Sequence, residues 1–278
     1  MSTPRTLVVP EGVLATRIET PRGSFAAHVA RGSAPVGHVL LVPGWTGSKE
    51  DFTQLLPELA AAGLDVTAYD QRGQFETPAA EGDDLSLAGL AADAAAVAAA
   101  VSDRPSHVLG HSFGGLVAQT AVVEHTDRWR SLSLLCTGPA ALGDSDVRPL
   151  RRLADALATV PLIDVHRARE AAIGATHPSD VEAFLERRFV ANSATSLRAM
   201  TLHLLDAPDR LDEVAATGLP AWVGYGADDD AWPLPVQDEM ARRLNTQPVV
   251  LPGLGHSPAV EDPAALAAAW LPFLLTLP

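Results

Sequence analysis

Basic residues are scarce in this chain of 278 residues: 20 Lys and Arg stand against 34 Asp and Glu, for a formal net charge of −14 and a pI near 4.9. Nucleic-acid binding needs basic surface to displace counterions from phosphates, so no nucleic-acid partner is expected. Anionic membrane surfaces are disfavoured for the same reason. Cysteine is almost absent. Cys136 is the only one, which excludes an internal disulfide and points to a reducing compartment, the cytoplasm. Cys136 closes an apolar run and reads as a small core residue. No long hydrophobic run follows Met1-Ser2-Thr3-Pro4-Arg5 or occurs later, so neither a signal peptide nor a membrane span is expected. Internal repeats and low-complexity linkers are missing too.

What remains is a chain that is 47% hydrophobic, enough for a full globular core in one large domain, with or without an insertion. Two short alternating segments, 14–20 and 24–30, flank Pro21-Arg22-Gly23 and predict a β-hairpin. An apolar run at 38–42 predicts a strand buried on both faces, 106–109 and 131–135 read as further buried strands, and 65–69 as another strand. Helical patterns at 50–62, 86–101 and 115–125 separate them. This alternation signals a parallel sheet with crossover helices. From 144 to 213 only helical patterns occur, at 148–158, 164–175, 179–192 and 195–205, punctuated by Pro161, Pro178 and Pro208. The rhythm then resumes, with strands at 221–225 and 247–251 and helices at 234–244 and 263–275. The expected fold is α/β, a mostly parallel, doubly wound sheet of about eight strands. Its core comprises residues 1–143 and 214–278, and a helical cap spans 144–213.

One stretch organises the rest: Val108-Leu109-Gly110-His111-Ser112-Phe113-Gly114-Gly115-Leu116. It reads as a strand, a very tight turn and a helix, with Ser112 at the apex. A serine hydroxyl is a weak nucleophile without a base, so a useful one must be held in the open beside a histidine. In G-x-S-x-G turns the residues two before and two after the serine nearly touch, which Gly110 and Gly114 allow. The helix start supplies unpaired N–H groups for a developing oxyanion.

Nine histidines are available as the base. His256, in Leu254-Gly255-His256-Ser257-Pro258, follows a late strand and precedes the last helix, where ligands gather in open α/β sheets. His111 adjoins Ser112, but alternate residues point apart. His28, His38, His107 and His125 fall in or beside core elements; His166, His177 and His203 fall in the cap. The histidine needs a carboxylate to fix its tautomer. Asp228, Asp229 and Asp230, after the strand 221–225, are the candidates. A metal site there lacks a histidine and ordered ligand spacing, and no metal or cofactor is expected. Pro43-Gly44-Trp45-Thr46-Gly47-Ser48 lacks the Gly-Lys-Ser/Thr spacing of a phosphate-binding loop and reads instead as a turn lending the Trp45 N–H to the Ser112 site.

With these residues in place, the chain resembles the α/β-hydrolase superfamily over nearly its whole length. Ser112, then Asp228–Asp230, then His256 is the family's order of nucleophile, acid and base. Pro43-Gly44-Trp45-Thr46-Gly47 resembles its His-Gly-x-x-Gly oxyanion loop, and Asp70-Gln71-Arg72-Gly73 its Asp-x-Arg-Gly turn. Gly226-Ala227-Asp228-Asp229 is similar to its Gly-x-x-Asp acid loop, which singles out Asp229. Gly255-His256 and Glu261-Asp262-Pro263 resemble its histidine loop and the start of its last helix. The cap sits at the family's usual insertion point. There are two departures: Pro43 stands where the family has histidine, and Gln74-Phe75-Glu76-Thr77 replaces a small-residue ending.

The resemblance implies a hydrolase cleaving a small, mainly apolar ester, thioester or lactone through an acyl-enzyme on Ser112, His256 and Asp229. The backbone N–H groups of Trp45 and Phe113 would form the oxyanion hole. Trp45, Phe113, Trp232 and Met200 are expected against the substrate, with core packing as the other reading for each. C–C bond hydrolysis, cofactor-free perhydrolysis or haloperoxidation, and a non-catalytic ligand receptor are the alternatives on the same framework. An epoxide hydrolase or haloalkane dehalogenase is disfavoured, because those carry Asp where Ser112 stands. Oligomeric state is not readable from the sequence.

Overall fold

A computed structural model describes residues 2–142, 147–174 and 176–277. Its centre is an eight-stranded sheet in the order β1-β2-β4-β3-β5-β6-β7-β8. The hairpin β1 (Val13–Thr20) and β2 (Gly23–Ala30) is antiparallel, and β2 pairs antiparallel with β4 (Leu64–Tyr69). The rest is parallel: β3 (Gly37–Val42), β5 (Ser106–His111), β6 (Trp129–Leu135), β7 (Ala221–Gly226) and β8 (Pro248–Leu251). Every residue of β3 and β5 is buried, as the continuous apolar runs require when helices cover both faces. None of the described helices is long and apolar enough to cross a membrane.

The predicted helix over 50–62 is instead a 3₁₀ turn at Lys49–Asp51 followed by α1 (Leu56–Ala61). Pro57 explains the difference: deeper in a helix its ring would clash with the carbonyl four residues back, whereas the first turn tolerates it. On one face of the sheet, α2 (Leu87–Val101) and α3 (Phe113–Glu124) enclose a core with Leu40, Val108 and Leu132. Ser86 caps α2 by accepting from the Gly89 N–H. The other face packs α1 and α11 (Pro263–Thr276) around Leu41, Leu109 and Trp270.

After β6 come α4 (Arg148–Thr159), α5 (Leu162–Ile173), α6 (Ser179–Ala191) and α7 (Ala194–Asp206). The expected division between 143 and 144, and Ala175 at the end of one expected helix, lie outside the described residues. The short α8 (Leu211–Ala216) gave no periodic signal in the sequence; Leu211 and Val214 bury it in the main core. α9 (Leu234–Arg243) and the single turn α10 (Pro258–Glu261) complete the chain.

Arg188 of α6 is fully buried and ties that helix to the 3₁₀ turn at Lys49–Asp51 and to the segment around Ser2. It donates to Asp51 Oδ1 at 2.6 Å and to the Ser2 carbonyl at 2.6 Å. Removing one partner of such a pair strands the other charge away from water. Arg188→Met is therefore expected to destabilise by about 3–5 kcal/mol, read as a fall in the urea midpoint at unchanged m.

Histidines in the buried strands pair across them. His38 Nδ1 meets Ser106 Oγ at 2.8 Å and its Nε2 meets Thr67 Oγ1 at 3.0 Å, while His107 Nδ1 meets Ser131 Oγ at 2.7 Å. Burial holds them neutral and pushes the pKa of His38 and His107 down to about 4, and that of His111 to about 3. The unfolded chain takes up protons at these rings below its ordinary value of about 6.5, and the native state does not. The stability they lend is thus complete above that value and lost as pH falls through the window towards 3–4. By pH 5 the loss is about 2 kcal/mol for each ring, so the thermal midpoint should drop steeply between pH 6.5 and 5. A flat profile there contradicts neutral burial.

Candidate active site

β5 ends at His111 and α3 begins at Phe113, leaving Ser112 alone at the bend with φ 53° and ψ −122°. A non-glycine residue rarely adopts positive φ, and strain of this kind clusters at functional sites. The bend closes because side chains are missing around it. A Cβ on Gly110 would lie 2.2 Å from the Gly114 carbonyl oxygen, and one on Gly114 would lie 2.3 Å from that of Val42. The Ser112 carbonyl accepts from the Gly115 N–H at 2.8 Å and the Thr137 hydroxyl at 2.7 Å, so the apex is pinned.

His256, after β8, reaches Ser112: Nε2 to Oγ is 3.0 Å. Its Nδ1 lies 2.8 Å from Asp229 Oδ1. A carboxylate can only accept, so Nδ1 carries the proton and Nε2 presents its lone pair to the serine hydroxyl. Among the three adjacent aspartates only Asp229 turns inward; Asp228 and Asp230 are exposed. Asp229 also accepts from the Ala231 N–H at 3.0 Å and from Gln237 Nε2 at 2.9 Å. Burial alone would raise its pKa, but these donors and His256 outweigh it and hold the carboxyl below its ordinary value.

Three supports were not legible in the sequence. Glu261 accepts from the backbone N–H groups of Gly255 and Ser257, on either side of His256, at 2.5 and 2.7 Å. His111 Nε2 donates to the His256 carbonyl at 2.7 Å, so the residue beside the nucleophile anchors the base. Gln237 orients the acid. Glu261 stood in a family-like segment and His111 beside the serine, but only the tertiary structure gives them these partners.

The loop after β3 lies against the serine: a Cβ on Gly44 would be 3.1 Å from Ser112 Cβ. Neither the Trp45 nor the Phe113 backbone N–H has a hydrogen-bond acceptor among the described residues. A cavity of about 180 Å³ opens over Ser112 and His256, walled by Trp45, Trp232, Leu142, Leu204 and Ala231. The Trp45 ring is fixed by a bond from Nε1 to Thr201 Oγ1 at 3.0 Å and by the Arg169 guanidinium, 5.0 Å from its centroid.

Of the four residues expected against the substrate, Trp45 and Trp232 line this cavity, whereas Phe113 and Met200 do not. Phe113 is fully buried in the main core and stacks on His203, because the first helical residue after the bend points its side chain inward. Met200 is buried beneath the Gln74 amide, and α7 meets the cavity through Leu204 instead.

Cys136, Asp229 and His256 bring potential metal-ligand atoms within 4.8 Å of one another. The imidazole and carboxylate are already bonded to each other. Burial and the neighbouring carboxylate push the Cys136 thiol well above its ordinary pKa, so it is neither thiolate nor nucleophile at neutral pH.

A parallel-rich sheet with the serine at a strand–helix bend, the acid after β7 and the histidine after β8 defines an α/β-hydrolase. The sequence model of the alpha/beta hydrolase family matches residues 39–269, and the chain belongs to that family. It is similar to a pimeloyl-[acyl-carrier protein] methyl ester esterase of Neisseria meningitidis, at 28% identity over 249 residues, 86% of this chain and 77% of the relative. Among solved structures it shares its fold with a carboxylesterase study protein of Nitrososphaera gargenis (TM-score 0.77, 18% identity, 94% of this chain, 98% of that one). It also shares the fold with the enol-lactonase of Burkholderia xenovorans (TM-score 0.76, 20% identity, 94% and 100%).

Proposed function

We propose that this α/β-hydrolase is a serine esterase that cleaves a small, mainly apolar ester, thioester or lactone, with no metal or cofactor in the chemistry. The observation that carries the reading is the unbroken hydrogen-bond chain from Ser112 through His256 to Asp229, at 3.0 and 2.8 Å. In the first half-reaction His256 Nε2 takes the Ser112 proton as Oγ attacks the carbonyl carbon. The oxyanion is held by the N–H groups of Trp45, in the loop after β3, and of Phe113, at the start of α3. The tetrahedral adduct collapses, and His256 passes its proton to the leaving alcohol or thiol. Water then repeats the sequence: His256 deprotonates it, it attacks the acyl-enzyme, and the proton returns to Ser112 as the acid leaves. Asp229 orients the ring and offsets the imidazolium charge.

The cavity supports this substrate class. Its walls are mostly apolar, with no Lys, Arg, Asp or Glu among them, and it holds about 180 Å³. Small uncharged acyl groups suit such a space. The Neisseria relative, by its name, acts on a methyl ester, consistent with a small alcohol leaving group. α4–α7 act as a cap over this cavity, approximating the segment 144–213, and a cytoplasmic small-molecule substrate is the intended partner. A panel of p-nitrophenyl esters run beside a fluorophosphonate probe tests the reading. Ser112-dependent labelling with turnover, falling as the acyl chain lengthens, supports it. Labelling without turnover of any ester or thioester points to a receptor, or to C–C bond or peroxide chemistry on the same residues.

A further inference from the structure

The two loops in which this sequence departs from the family pattern touch each other. Pro43 occupies the oxyanion loop, and Gln74 follows Asp70-Gln71-Arg72-Gly73. In the structure Gln74 Nε2 donates to the Gly44 carbonyl at 2.8 Å, and Gln71 Nε2 donates to the Pro43 carbonyl at 2.8 Å. Both glutamines are buried, and each side-chain oxygen lacks a partner among the described residues. The donors are what this position uses.

We propose that Gln74 is a positioning residue for the oxyanion hole, an inference that rests on the esterase reading above. The Gly44 carbonyl and the Trp45 N–H are opposite ends of one planar peptide unit, and no peptide among the described residues is cis. In a trans unit the two bonds point in opposite directions, so an anchor on the oxygen aims the N–H. The same oxygen accepts from the Gly47 N–H at 3.0 Å, closing a turn that holds Thr46 at φ 56°. A β-branched residue resists that conformation, so the turn needs holding from outside. The Gln74 amide supplies the hold and polarises the peptide, strengthening the N–H as a donor. Its other hydrogen faces Met200 Sδ at 3.7 Å, which links α7 to the loop.

The test compares wild type with Gln74→Met, which keeps length and volume without a donor, and Gln74→Asn, which withdraws the amide by one methylene. Active sites are counted by fluorophosphonate titration, and a boronic acid serves as the tetrahedral analogue. In both variants kcat per site should fall at least about tenfold with KM within twofold. The boronate inhibition constant should rise in step with the loss of kcat/KM, at near-unchanged Tm. Folded variants with kcat/KM and boronate affinity within twofold of wild type overturn the proposal. So does a lowered Tm with unchanged kcat per site, or failure of both variants to fold, because either makes Gln74 a residue of stability. Absence of Ser112-dependent turnover or boronate binding in the wild type itself would instead remove the esterase reading beneath it.

Discussion

Ser112→Ala is expected to lower kcat for any ester substrate by at least about ten-thousand-fold, with the fold intact. The hydroxyl makes one hydrogen bond, to His256 Nε2 at 3.0 Å, and its backbone is held independently by Leu135, Gly115 and Thr137. Removing Oγ therefore takes away the attacking atom and little else. Alanine meets the same strain at φ 53° as serine does, so Tm should move by no more than a degree or two. Substrate affinity should persist, because the cavity walls are unchanged. The N–H donors and the cavity remain, so turnover slightly above the uncatalysed rate is expected. Steady-state turnover at the wild-type level would end the mechanism.

His256→Ala should cost about as much as Ser112→Ala, and the double variant scarcely more than either alone. Nucleophile and base act in one step, so the first loss already forfeits what the second would remove. Without the imidazole no other base is placed to take the Ser112 proton. His111, whose ring centroid lies 5.1 Å from that of His256, is held neutral by burial and uses its Nε2 on the His256 carbonyl. Residual activity should rise with pH as hydroxide takes over. The fold should survive, because Asp229 keeps the Ala231 N–H and the Gln237 amide as donors once the ring is gone. Rates for the two single variants and the double variant check this. Losses that multiply in the double variant would place Ser112 and His256 in separate roles.

Much of the architecture was legible because it rests on local rules. Strands buried on both faces read as apolar stretches, and β3 did so from Val39 to Val42 without interruption. Where the reading failed, a local rule had been overlooked or a distant neighbour had intervened. Pro57 broke a helix drawn too long. α8 was too short to show a period and is stabilised by core contacts of Leu211 and Val214. Phe113 and Met200 had the chemistry of pocket walls, and their burial depended on which way a bend and a helix happened to face.

The order of strands and helices, the glycines around Ser112 and the choice of Ser112 and His256 followed from the sequence by itself, because each depends on residues within a few positions of one another. The likeness to the family's acid loop already singled out Asp229, but its burial between two exposed neighbours required the tertiary structure. So did the gripping of His256 by Glu261 and His111, the burial of Phe113, and the contact between Gln74 and the Pro43 loop. Glu261 lies within six residues of its partners, but the contacts of His111, Phe113 and Gln74 join segments tens to more than a hundred residues apart, and their geometry is fixed only when the sheet stacks its carboxyl ends side by side.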